Sequence, residues 1–108
     1  MTEQVLLNCK KEENLAHALQ SLDELKLTTL FPVDILGRGF TYYYENWITK
    51  LEMEGEHIKA VVEGSSSYQI QLQKQGGELK ASCDCPYDGK CKHIAAVLIA
   101  SMHQVQAK

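Results

Sequence analysis

The chain has 108 residues, 44% of them hydrophobic and 23% charged, with a formal net charge of −3 at pH 7. That length makes one domain with a modest core, small enough to gain from a bound metal, and the composition is ordinary for a globular protein. The acidic balance argues against a strong nucleic-acid binder, which needs excess Lys and Arg for its phosphate contacts, and the longest apolar run, residues 94–100, is far below the roughly 20 residues of a membrane span.

The first residues, Met1 to Leu7, have neither a basic start nor a long apolar run. They predict no signal peptide and a reducing, cytoplasmic setting, where clustered cysteines mean metal more often than disulfide. Residues 9–26 read as one amphipathic helix with Asn8 as N-cap. Its apolar stripe is Leu15, Ala18, Leu19, Leu22 and Leu25, with Lys10, Lys11, Glu12, Glu13 and Asp23 on other faces. Cys9 reads as a small hydrophobe and His17 as a surface histidine. Thr28-Thr29 ends this helix and opens a second, with Pro32 in its first turn and Leu30, Phe31, Ile35 and Leu36 apolar. Gly37-Arg38-Gly39 is expected to break that second helix. Residues 40–45 fit either a short helix or the opening of a sheet. The run Tyr42-Tyr43-Tyr44 reads as core and interface packing in preference to base stacking.

From Trp47 the period changes to two. Trp47, Thr49, Leu51 and Met53 alternate with Ile48, Lys50, Glu52 and Glu54. Ile58, Ala60 and Val62 line a second strand, Tyr68, Ile70 and Leu72 a third, and Leu79, Ala81 and Cys83 a fourth, with glycine turns between them. His57 flanks a turn and carries no special role. The last helix is expected from about Lys92 to Gln104. Its first turns are apolar nearly all round, so it is expected to be buried on both sides, by the sheet and by the N-terminal helix. His103, a turn beyond, reads as solvated. The expected fold class is α+β: N-terminal helices, a four-stranded antiparallel sheet, a zinc knuckle and a C-terminal helix.

The chemistry is concentrated in residues 83–93, which hold three of the four cysteines and one of the four histidines. Cys83, Cys85, Cys91 and His93 make a complete Cys₃His set, which suits one tetrahedral Zn²⁺. In an extended segment Cys83 and Cys85 point the same way about 6.6 Å apart, and Pro86 keeps Cys85 extended. Asp88-Gly89 offers the turn that brings the chain back. Two positions apart in a helix face nearly opposite directions, so Cys91 belongs in the approach to the helix and His93 in its first turn. Other uses of the cluster fit less well. Cys83-Asp84-Cys85 is not the Cys-x-x-Cys of a redox dithiol. A disulfide would leave one cysteine over, and a Rieske-type cluster wants two histidines. Four protein ligands close the sphere, so the metal holds shape and offers no open position for chemistry. No Ser/His/Asp set, paired carboxylates or phosphate-cradling glycine loop stands out, and no enzyme activity is expected of the chain on its own.

Cys83-x-Cys85-Pro86 followed by Cys91-Lys92-His93-Ile94-Ala95-Ala96-Val97-Leu98 resembles the SWIM zinc finger, whose pattern is Cys-x-Cys, a variable gap, then Cys-x-His. Arg38-Gly39 and Tyr42-Tyr43 resemble the lead-in of many bacterial SWIM modules, and Val62-Glu63-Gly64-Ser65 and Tyr68-Gln69-Ile70 their mid-domain strands. The resemblance implies zinc on Cys83, Cys85, Cys91 and His93. It divides the chain into an N-terminal helical segment, 1–36, packed on a SWIM-like zinc-binding module, 37–104, in a single compact domain. Such modules occur in bacterial Swi/Snf-type helicases, often N-terminal, and in transposases, kinases and recombination regulators. The implied function is a structural-zinc, DNA-associated accessory domain of a helicase-type or chromatin/recombination-type system, part of or partner to an ATP-dependent helicase. Lys80, Lys90 and Lys92 would then lie near phosphate. The alternative is a protein–protein interaction module without nucleic-acid contact. Expected partners are DNA or a protein domain such as the helicase core of a longer chain, with no membrane and no small-molecule substrate.

Overall fold

In the computed structural model, which describes residues 4–64, 66–85 and 91–106, five antiparallel strands form one sheet in the order β1-β5-β4-β3-β2. The strands are β1 (Gln4–Asn8), β2 (Ile48–Glu54), β3 (His57–Glu63), β4 (Ser67–Gln75) and β5 (Glu78–Cys83), and the helices are α1 (Leu15–Gln20), α2 (Glu24–Leu30), α3 (Val33–Tyr44) and α4 (Lys92–Gln106). Strands β2 to β5 are the expected meander. Gly55 and Gly76, at φ +57° and +58°, make the left-handed turns of two of its hairpins.

The sheet has five strands where the sequence predicts four. The extra one is β1, paired antiparallel with β5. It carries no period-two signal because Val5, Leu6 and Leu7 are consecutive apolar residues and the register shifts between Val5 and Leu7. That bulge turns Leu6 into the core and leaves Val5 41% exposed. A second bulge, between Ile48 and Lys50 in β2, puts Ile48 on the inner face with Leu51 and Met53 and leaves the expected Thr49 exposed.

Helix placement also differs. The expected 9–26 helix is two shorter ones. Asn14, not Asn8, caps α1 by accepting from the His17 N–H at 2.8 Å, and Asp23 caps α2 by accepting from the Lys26 N–H at 2.8 Å. Leu15, Leu19 and Leu22 keep helical spacing across the break, so periodicity alone does not reveal it. Leu25, expected inside, is 76% exposed, and Leu27 is fully buried in its stead. Thr28 and Thr29 lie within α2, their hydroxyls donating to the carbonyls of Leu25 and Lys26.

The expected break at residues 37–39 is absent, and α3 runs through both glycines from Val33 to Tyr44. Gly39 is there for packing: a Cβ at this position would sit 2.7 Å from the Ala95 Cβ and 3.1 Å from the Ala96 nitrogen. α3 and α4 therefore approach backbone to backbone.

Helix α4 is the centre of the molecule, with every residue from His93 to Met102 buried. It packs on β2 to β5, and on its other side against α3 and α1. α3 is the principal cover, a role the sequence gives to the first helix. At the far end of α4 the Gln106 side-chain amide donates to the carbonyls of Leu19, Gln20 and Leu22 at 3.3, 3.4 and 2.8 Å, tying α4 to the end of α1. His103 is not solvated as expected: its Nδ1 lies 2.9 Å from the Tyr43 hydroxyl.

The two glycines of α3 give opposite outcomes on substitution. Nothing lies within 4 Å of a Cβ built on Gly37, so Gly37→Ala should gain about 1 kcal/mol of helix propensity and raise the melting temperature by about 4–8 °C. Gly39→Ala gains the same propensity but must separate α3 from α4, at about 1–3 kcal/mol for overpacking. Thermal denaturation should place Gly39→Ala below Gly37→Ala, and equal melting temperatures would remove the close approach.

Candidate metal centre

Cys83 is aimed by strand register. Leu79, Ala81 and Cys83 are all buried on β5, and Cys83 sits opposite Ile70 of β4. The ladder holds for one residue more: the Asp84 N–H donates to the Gln69 carbonyl at 3.3 Å, and the Gln69 N–H donates to the Asp84 carboxylate at 2.9 Å. Cys85 thus follows a pinned, extended residue and is half-buried beside Cys83. Residues 86–90 lie outside the described residues, among them the expected turn at Asp88-Gly89, Pro86 and Lys90. Cys91 immediately precedes α4, its carbonyl accepting from the Ala95 N–H at 3.1 Å. His93 is the second residue of that helix.

These elements bring one ligand atom each from Cys83, Cys85, Cys91 and His93 to within 4.8 Å of one another. The His93 Nδ1 lies 3.7 Å from the Cys83 sulfur and 3.8 Å from the Cys91 sulfur. Bond lengths of ~2.3 Å for Zn–S and ~2.0–2.1 Å for Zn–N make tetrahedral edges of about 3.8 Å between sulfurs and about 3.6 Å between sulfur and nitrogen. The donor set fits one structural Zn²⁺ with Cys₃His ligation. Cys9 stands apart, at the end of β1 with its N–H donating to the Gly77 carbonyl at 2.8 Å, and burial holds its thiol above the usual range.

A hydrogen bond from Cys83 pushes the Cys91 thiol down against the opposing effect of burial, with His93 and the Ile94 N–H assisting. The same bond, with desolvation, pushes Cys83 up. Zinc would bind these cysteines as thiolates and displace their protons.

The imidazole is held by rings. Tyr68 lies tilted against His93 with centroids 4.4 Å apart, Tyr42 lies 5.6 Å away, and Trp47 stacks on Tyr42 at 4.7 Å. Successive residues of a helix point about 100° apart, so the tyrosine run divides. Tyr42 goes to the metal site, Tyr43 to His103, and exposed Tyr44 stacks on Phe40 at 6.1 Å. This is the packing role expected of the run.

Of the three expected lysines, Lys80 and Lys92 are described, and those two do not converge. Lys80 alternates with buried Leu79 and Ala81, so it lies on the sheet face away from the helices, with its Nζ 3.8 Å from the Glu78 carboxylate. Lys92 opens α4, its ammonium 5.6 Å from the centre of the Tyr42 ring. The residues that do gather beside the cluster are ones to which the sequence assigns no binding role: Ile35, Arg38 and Tyr68. With Cys85, Cys91, Lys92 and His93 they line a cavity of about 190 Å³. The spacing of Ile35 and Arg38, three apart on one helix face, is the signal that could have paired them.

Residues 68–101 match the SWIM zinc finger. The matched stretch runs from β4 into α4, includes all four members of the cluster and covers about a third of the chain. The Arg38-Gly39 and Tyr42-Tyr43 lead-in lies outside it. No curated protein and no solved structure matches the chain. The SWIM finger is a binding module and not a catalytic domain, and in general mediates contacts with nucleic acids or proteins. Among the described residues no helix is long and apolar enough to cross a membrane.

Structural zinc sites are worth roughly 10–16 kcal/mol apparent in small peptides, against total domain stabilities of about 5–15 kcal/mol. Metal loss should therefore release the knuckle and the start of α4. Cys85→Ser should lower zinc content and melting temperature together, whereas Cys9→Ser should leave zinc content unchanged. A Cys85→Ser protein with one zinc and unchanged melting would remove Cys85 from the ligand set.

Proposed function

We propose that the chain is a structural-zinc binding module in which Cys83, Cys85, Cys91 and His93 hold one Zn²⁺, and that it acts as a DNA-associated accessory domain. Its setting on this reading is cytoplasmic, within a helicase-type or chromatin/recombination-type system, where the partner is DNA together with the core of an ATP-dependent helicase. The observation that carries the DNA contact is the pair of cations beside the knuckle. Arg38 and Lys92 line one cavity with the metal ligands, and no ion pair engages either among the described residues. The module supplies affinity and position, and chemistry belongs to its partner. Of the lysines expected at phosphate, Lys92 lines this cavity, Lys80 is on the sheet face away from the helices, and Lys90 lies outside the described residues.

A second reading, protein docking without nucleic-acid contact, draws support from charge. The formal net charge is −3, and three thiolates with one dication add a further negative charge. A gel shift of the zinc-loaded protein across a salt series separates the two. DNA association predicts a shift at low salt that weakens steeply as salt rises and is lost in the double charge reversal Arg38→Glu, Lys92→Glu. Absence of any shift at low salt favours protein docking.

A further inference from the structure

We propose that the cavity beside the knuckle takes one nucleotide of a single-stranded nucleic acid, its phosphate between Arg38 and Lys92 and its base against Tyr68 and Ile35. This deepens the DNA-associated reading above and rests on it.

Size sets the first limit. About 190 Å³ is below the ~300–1,000 Å³ typical of small-molecule sites, so a whole cofactor is too large, whereas a single planar base fits. The walls set the second. Ile35 and Tyr68 are apolar, Arg38 and Lys92 cationic, and Cys85, Cys91 and His93 complete the lining. An apolar wall beside two cations suits a ligand with a flat uncharged part and an anionic part. A nucleotide has both, and base stacking on an aromatic ring next to a cationic groove is how single strands are commonly held.

Charge sets the third. Arg38 and Lys92 carry two positive charges against the single net negative charge of a zinc–thiolate site. Among the described residues no carboxylate lines the cavity. The cavity lining is therefore net positive although the chain as a whole is acidic. Two phosphate contacts are few for a duplex, which carries one charge per ~1.7 Å of axis and keeps its bases stacked out of reach of a cavity. An unstacked strand can offer a base to Tyr68 and needs fewer cations.

The test is a fluorescence-anisotropy titration of the zinc-loaded full chain with a short labelled oligothymidylate, an abasic strand of equal length and a blunt duplex. Binding to the single strand is expected to be about five-fold or more tighter than to the abasic strand, the effect of one stacked base. Affinity for the single strand should fall with salt at a log–log slope of about −1.4, from two neutralised phosphates. Arg38→Gln, at an exposed position, should bring the slope to about −0.7 with zinc content and melting unchanged. Equal affinity for the abasic strand, equal or tighter binding of the duplex, an unchanged slope in Arg38→Gln, or displacement of the strand by an acidic peptide of matched charge would each overturn the proposal. The first two results would leave the chain DNA-associated without this pocket. No binding to any nucleic acid would remove both readings.

Discussion

The structure depends on three sulfurs and one nitrogen meeting at a point that joins the end of β5 to the start of α4. Everything near that point serves the meeting. The β4–β5 ladder fixes Cys83 and extends one residue to pin Asp84 ahead of Cys85. The first turn of α4 carries His93 directly behind Cys91. A closed four-ligand sphere leaves no position for water or substrate. The same geometry that makes the ion an effective staple therefore excludes it from catalysis.

The staple would hold little if α4 were free to move, and the packing prevents that. α4 is buried along its length from His93 to Met102, with the sheet beneath it and α3 pressed onto it at Gly39. From α3, Tyr42 reaches back to the metal ligand, with Trp47 stacked on it and Tyr68 against His93 itself. The aromatic side chains thus orient the imidazole from outside the coordination sphere, which commonly matters to metal affinity. Arg38, one helical turn before Tyr42, brings charge to the same place. The ligand cluster, its flanking rings and the cations Arg38 and Lys92 share one end of the molecule.

Much of this is legible in the sequence where interactions are local. Cys83, Cys85, Cys91 and His93 lie close along the chain, and coordination chemistry restricts which residue types can share an ion, so the cluster can be read directly. Strands β2 to β5 are legible because alternation and glycine turns are also local. Features set by long-range contact or by bulges are hidden. β1 lacks alternation because its bulge buries Leu6, leaves Leu7 partly buried against the core and exposes Val5. Gly37 and Gly39 look alike as helix breakers, and only the position of Ala95, far along the chain, shows that one of them is required by a neighbouring helix. The split between α1 and α2 is marked by the capping residues Asn14 and Asp23, but the leucine spacing continues across it and conceals the break. Arg38 and Tyr68 join the site only through the fold.

The most direct measurement is X-ray absorption at the zinc edge of the purified, reduced protein. The account predicts a single shell of three sulfurs at about 2.3 Å and one nitrogen at about 2.0–2.1 Å. A sphere containing water or carboxylate oxygen, fewer than three sulfurs, or protein that folds normally without zinc would contradict it.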